Sequence, residues 1–171
     1  MGKDIIIFMS KNKIVLETHS VEATQALGIR LGQWIQERQE PLCIALVGDL
    51  GTGKTHMSQG IAKGLGVNEE ITSPTFALMN TYNNDKGNVY HFDLYRLDDV
   101  SELENIGFYE YTENQISIVE WADKFSDELP VETLWITITT LDTSSRRLEL
   151  ESSIITEEEL AAIGGTYVVG H

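Results

Sequence analysis

A mixed α/β fold around a mainly parallel central sheet, of the P-loop NTPase type, is what this sequence predicts, and three observations predict it. Leu42 to Val47 (Leu-Cys-Ile-Ala-Leu-Val) is an unbroken apolar run, which suits a parallel strand buried on both faces. Upstream, apolar residues at Val21, Ala23, Leu27, Leu31, Trp34 and Ile35 recur every three to four positions, the period of an amphipathic helix. Downstream, Gly48-Asp49-Leu50-Gly51-Thr52-Gly53-Lys54-Thr55 stands between that strand and a second helical stretch, the junction at which such sheets cradle phosphate.

The elements follow in order. Lys13 to Thr18 is rich in β-branched and apolar residues and predicts a short strand. Ser20 supplies an N-cap for a helix over Val21 to Arg38, which Pro41 stops. After the Leu42–Val47 strand and the glycine loop, Lys54 to Leu65 reads as a helix ended by Gly66. Phe76 to Tyr82 and Asn88 to Tyr95 read as strands of a hairpin joined by the turn-rich Asn83 to Gly87. Ser101 to Ile106 and Tyr109 to Thr112 are short helical pieces, and Gln115 to Val119 is another buried strand. Leu134 to Leu141 and Arg147 to Leu150 pair across Asp142-Thr143-Ser144-Ser145. Thr156 and Glu159 form a capping box before a last helix to Ile163, and Tyr167-Val168-Val169 beyond it reads as a frayed end. A single domain over residues 1–171 is expected, with 1–12 and 151–171 as peripheral or flexible ends.

Composition narrows the function classes. The chain has 171 residues, 12 Lys+Arg against 27 Asp+Glu, and a net charge of −15. That balance argues against a protein that wraps nucleic acid with a broad basic surface. One cysteine, Cys43, excludes an internal disulfide framework and fits a reducing compartment, and its place in a buried strand reads as a small hydrophobe. No apolar run approaches the roughly 20 residues of a spanning helix, so a cytoplasmic protein with no membrane partner is expected. His19, His56, His91 and Cys43 share no metal-ligand spacing, and His91 itself reads as a packed or hydrogen-bonded histidine.

The chemistry-bearing motif is Gly48 to Thr55, which matches G-x-x-x-x-G-K-[ST] at every fixed position. Glycines let successive backbone N–H groups curl into an anion site, Lys54 can place its ammonium against phosphate, and Thr55 offers a hydroxyl to Mg²⁺. Such a site normally adds an acid at the end of a neighbouring strand, and Asp93 and Glu120 both stand at strand ends. Each reads either as part of the metal and water machinery or as a solvated strand-end acid. Thr72-Ser73-Pro74-Thr75-Phe76 reads either as a switch-like loop or as a turn before the next strand. From Asp98 to Glu132 eleven acids face one base, Lys124, which gives a solvated face or a docking surface for a basic partner.

Together the ordered strings Gly-Asp-Leu-Gly-Thr-Gly-Lys-Thr (48–55), Ser-Pro-Thr-Phe (73–76), His-Phe-Asp-Leu-Tyr-Arg-Leu (91–97) and Glu-Trp-Ala (120–122) resemble the TsaE (YjeE) family. These are the small ATPases of the bacterial system that makes threonylcarbamoyladenosine on tRNA beside the anticodon. The resemblance runs from about Ser20 to Leu150. It implies that Lys54 and Thr55 serve ATP and Mg²⁺, that Glu120 is a second metal ligand, and that Asp93 is the Walker-B-like acid. It implies that Thr75 belongs to a switch loop and that Trp121 lies beside the nucleotide. The start of the first helix, Ser20 to Glu22, and a basic residue of the last hairpin, Arg146 or Arg147, would complete the nucleotide pocket; Arg147 is the one assigned to it. The implied partners are the protein subunits of the tRNA threonylcarbamoyl transferase, with tRNA reached mainly indirectly, and a monomer or weak self-association is expected.

Two other functions share the phosphate loop. A small P-loop kinase would need an arginine-bearing lid, and between Phe76 and Glu132 the sequence offers Arg96 alone. A GTP-dependent switch would need Asn-Lys-x-Asp, whereas the one Asn-Lys pair, Asn12-Lys13, continues Ile14-Val15.

Overall fold

The computed structural model describes residues 11–49, 51–72, 74 and 77–169. Seven strands form one sheet: β1 (Asn12–Thr18), β2 (Leu42–Val47), β3 (Met79–Asn84), β4 (Gly87–Asp93), β5 (Ile116–Glu120), β6 (Leu134–Thr140) and β7 (Arg146–Ser152), in the order β1-β7-β6-β2-β5-β4-β3. The apolar β2 lies at the centre, parallel to both β5 and β6, which is why it needs no polar face. Strand β4 joins β5 in parallel, and the outer pairs β3/β4, β6/β7 and β1/β7 are antiparallel hairpins and ribbons. The sheet is therefore mixed, with a parallel centre.

Side chains alternate across this sheet. On one face Ile44, Leu46 and Ile118 pack with helices α1 (Val21–Arg38) and α2 (Lys54–Gly64). On the other, Cys43, Ala45, Phe92 and Val119 meet α3 (Ser101–Asn105), α4 (Phe108–Asn114) and a 3₁₀ segment, Ala122–Glu128. Two hydrophobic clusters result, one on each side of β2.

Helices α1 and α2 run parallel and approach through glycine. A Cβ placed on Gly32 would stand 2.2 Å from the Ile61 carbonyl oxygen, and one on Gly60 would stand 2.4 Å from that of Gln25. An exposed helical Gly→Ala change stabilises by about 1 kcal/mol. Gly60→Ala is instead expected to destabilise by about 1–3 kcal/mol, because backbone cannot move aside as a side chain can. A lowered urea midpoint with an unchanged slope would show it.

Most expected elements stand where the pattern placed them, with local differences. The first hairpin strand begins at Met79, because the chain first makes a turn in which the Leu78 N–H donates to the Pro74 carbonyl and Leu78 adopts φ +68°. Phe76, expected in that strand, lies outside the described residues. Its loop is tighter than expected: Asn84 pairs with Gly87, so Asp85-Lys86 alone make the turn.

The expected frayed end is docked instead. The capping box of Thr156 and Glu159 starts α5 (Glu157–Gly164), whose Leu160 and Ile163 are buried in the cluster beneath α1. Arg30 on α1 donates to the last-turn carbonyls of Ala162 and Ile163 at 3.0 and 2.9 Å, which satisfies oxygens that a helix end leaves unpaired. Beyond it Val168 bridges Leu16, and the Val169 N–H donates to Val15. Among the described residues no helix is long and apolar enough to cross a membrane.

Candidate nucleotide site

The parallel strands β2, β4 and β5 end on the same side of the sheet. Their carboxyl ends deliver the phosphate loop after Val47, Asp93 and Glu120 to one place, with Asp93 and Glu120 in register as neighbours. Open α/β sheets bind ligands there. A cleft of about 440 Å³ occupies it, lined by Val21, Gly51, Gly53, Lys54, Thr55, His56, Asp93, Tyr95, Glu120, Trp121 and Arg146. A groove of about 500 Å³ lies at the opposite, amino end of the strands among Gln36, Asn84, Asn88 and Gln115. It gathers none of the residues that the sequence singled out for catalysis or nucleotide binding.

Loop geometry explains its glycines. Gly51 and Gly53 adopt φ +80° and +101°, left-handed conformations in which a side chain would be strained. Gly48 is limited by space instead, since a Cβ would lie 2.7 Å from Thr52 Oγ1 and 2.8 Å from the Ile138 oxygen. The Thr52 hydroxyl donates to the Asp49 carbonyl at 2.9 Å and closes the turn. Among the described residues no side chain caps α2 and no acid stands in its first turn. The N–H groups that a helix start leaves unpaired, with the positive end of its dipole, therefore face the cleft. This is an anion cradle.

Lys54, only 6% exposed, donates from Nζ to the carbonyls of Gly48 (2.5 Å) and Asp49 (2.8 Å). Its ammonium also lies 4.3 Å from the centre of the Trp121 ring, a cation–π contact. Burial pushes the Lys54 pKa below its ordinary value, and Glu120, Asp49, Asp123 and Asp93 oppose that shift. The Trp121 ring is placed by backbone at φ +57° and stacks on Tyr95 at 4.7 Å and 23°. Lys124 holds the turn that follows Asp93, donating to the carbonyls of Tyr95 and Leu97 at 2.7 and 2.6 Å.

Both acids are buried, Asp93 at 3% and Glu120 at 2% exposure, which is unfavourable without partners. An Asp93 oxygen accepts from the Tyr95 N–H at 2.9 Å. Glu120 Oε2 accepts from the Ser58 hydroxyl at 3.3 Å and meets His91 Nε2 at 2.5 Å. No group of three or more His, Cys, Asp and Glu among the described residues could hold a metal by itself. A cation that keeps waters and takes its other ligands from phosphate, as Mg²⁺ does, fits one or two carboxylates and a hydroxyl. Cys43 stays outside this chemistry, because burial pushes its thiol up to about 11.

One expected residue is placed elsewhere. Arg146, not Arg147, reaches the phosphate loop: its Nε donates to the Thr52 carbonyl at 2.8 Å and its Nη2 to Gly51 at 3.4 Å. Arg147 pairs with Glu17 on the neighbouring strand β1, Nη2 to Oε2 at 3.2 Å. Alternation decides this: Arg146 shares parity with buried Leu148 and Leu150, and Arg147 lies on the opposite face. Counting back by twos from Leu150 would have found it. Leu50 and Thr75 lie outside the described residues. Sequence reasoning passed over Tyr95, Lys124, Ser58 and the partners of His91, since side chains that meet across strands leave no local pattern.

Residues 18–148 match the family model described as threonylcarbamoyl adenosine biosynthesis protein TsaE. A tRNA threonylcarbamoyladenosine biosynthesis protein TsaE of Bacillus subtilis is 43% identical over 96 residues, 56% of this chain and 60% of that protein. One of Treponema pallidum is 33% identical over 132 residues, 77% of this chain and 95% of that one. Among solved structures, the crystal structure of Bacillus subtilis YdiB superposes with a TM-score of 0.69 at 25% identity, over 90% of this chain and 95% of the other. The P-loop cleft, its nucleotide-binding character and the match over most of the chain lead to one conclusion: the chain belongs to the TsaE family.

Proposed function

We propose that this chain is a Mg²⁺-dependent ATPase of the cytoplasm that supports threonylcarbamoyl transfer to the adenosine beside the tRNA anticodon, together with the protein subunits of the transferase. One observation carries the reading: the uncapped start of α2, Lys54, Thr55, Asp93 and Glu120 converge on one cleft at the carboxyl ends of parallel strands. Family membership supplies the reaction context, since relatives carry the name tRNA threonylcarbamoyladenosine biosynthesis protein.

In this reading the loop amides Gly48 to Thr55 receive the phosphates, and Lys54 exchanges its two carbonyls for phosphate oxygens. Bound Mg²⁺ would neutralise charge on the phosphates, with Thr55 and Glu120 as its protein ligands. Asp93, fixed by the Tyr95 N–H, orients the attacking water. Trp121 stacks above Lys54 and shields that side of the cleft, and Arg146 steadies the loop at its rim. The Thr72–Phe76 loop senses the γ-phosphate.

Arginine placement yields a direct expectation. Arg146→Ala weakens ATP binding by about tenfold, the scale of one charge-assisted hydrogen bond, and Arg147→Ala leaves it within about twofold. Titration of a fluorescent ATP analogue into both variants checks it.

Hydrolysis is read out through conformation and partners. All acids from Asp98 to Glu132 except Glu120 are exposed or half-buried, and they frame α3, α4 and the 3₁₀ segment. A basic surface of the transferase docks there, and binding weakens as salt screens the attraction. Alone, the protein turns over slowly. Measuring hydrolysis with and without the transferase tests the proposal.

A further inference from the structure

His91 is wholly buried in β4, on the sheet face that carries the apolar cluster of the α1/α2 side. Alternation puts His91 and Asp93 on the same face of β4, and Ile118 and Glu120 on the corresponding face of β5. His91 does not line the cleft, yet its Nε2 lies 2.5 Å from Glu120 Oε2, which does. Its other nitrogen, Nδ1, lies 3.3 Å from the Tyr82 hydroxyl.

That hydroxyl is itself engaged. Tyr82 donates to the Thr72 carbonyl at 3.0 Å, and Asn80 Nδ2 donates both to Thr72 (3.2 Å) and to the Tyr82 oxygen (3.2 Å). With the Tyr82 hydrogen given to Thr72, Nδ1–H donates to the Tyr82 oxygen, and one hydrogen lies between Nε2 and Glu120. The chain of contacts Thr72–Tyr82–His91–Glu120 therefore runs from the backbone of the loop after α2 to a carboxylate of the cleft.

Burying an imidazole in an apolar layer is unfavourable unless every nitrogen is satisfied, and an aliphatic residue would pack there without that demand. Carboxylates that meet metal or phosphate act well only when their rotamer is held from behind. We propose that His91 is the positioning residue for Glu120, and that through Tyr82 it ties the carboxylate to the Thr72 end of the loop. One line of hydrogen bonds thus joins the Thr72 carbonyl to the Glu120 carboxylate. This rests on the ATPase reading for its consequence, while the contacts stand apart from it.

The test compares wild type with His91→Ala, His91→Gln and Tyr82→Phe. His91→Ala is expected to lower kcat by about 10- to 100-fold and to raise the Mg²⁺ concentration for half-maximal activity similarly. Affinity for ADP without metal stays within about twofold, because phosphate still meets the loop amides. His91→Gln, which keeps a donor toward Glu120, recovers part of the loss, and Tyr82→Phe falls between wild type and His91→Ala. Independently of ATP, proton NMR of the ligand-free protein should show an imidazole N–H sheltered from solvent exchange, absent in His91→Ala and exchanging faster in Tyr82→Phe. Wild-type kcat and Mg²⁺ dependence in His91→Ala would overturn the proposal, as would a wild-type ring proton that exchanges at the solvent rate. If His91→Ala does not fold, His91→Gln and Tyr82→Phe decide. If the wild type does not hydrolyse ATP, the ATPase reading fails and the ring-proton result alone decides whether His91 holds Glu120.

Discussion

Glu120→Gln is expected to lower ATP turnover by about 100-fold while changing nucleotide affinity little. The amide keeps the volume and an oxygen that can accept from Ser58, but it removes the charge that a cation would meet. Outer partners of a metal ligand commonly account for 10- to 100-fold, and loss of the ligand's charge should reach the upper end of about that range. Charge on the transferring phosphoryl group is largest at the transition state, so the loss falls on kcat. Asp93→Asn should act in the same direction through the water. Steady-state kinetics and equilibrium binding on the same preparations check both, and unchanged turnover in each would remove these acids from the chemistry.

Lys54→Ala is the second large effect, expected to weaken Mg·ATP binding by about 10- to 100-fold, the scale of a charge-assisted contact worth roughly 1.5–3 kcal/mol. The substitution also empties the space beside the Trp121 ring and frees the Gly48 and Asp49 carbonyls. Stability should change less than affinity, because those carbonyls sit at a cleft that water reaches. Titration calorimetry of both proteins measures the difference, with a thermal melt as control for folding. Equal dissociation constants would contradict the placement of phosphate in the loop.

How much of this was legible in the sequence depends on the range of the interaction. The Leu42–Val47 strand and the Val21–Arg38 helix follow from periodicity within one element, and both stand at the expected bounds. Most of the phosphate loop is equally local, since Gly51 and Gly53 answer conformations set by their own φ angles. The choice between Arg146 and Arg147 rests on hairpin register, which buried Leu148 and Leu150 set in favour of Arg146. The docking of α5 depends on Arg30, 132 residues before the carbonyl of Ala162 that it caps, a contact no local pattern encodes. Close packing of α1 on α2 follows from Gly28, Gly32, Gly60 and Gly64, whose spacing was visible but whose pairing needed the fold. His91 shows the same limit: burial was foreseeable from its strand, and the line from Thr72 to Glu120 was not.

The most direct test of the account is ATP hydrolysis followed together with threonylcarbamoyl transfer, using the transferase subunits, tRNA and threonylcarbamoyl-adenylate with wild-type or Lys54→Ala protein. The account predicts slow hydrolysis by the protein alone, faster hydrolysis when the transferase and tRNA are added, and repeated rounds of modification with the wild type only. Hydrolysis indifferent to the transferase, with equal multiple turnover in the presence of Lys54→Ala protein, would contradict it.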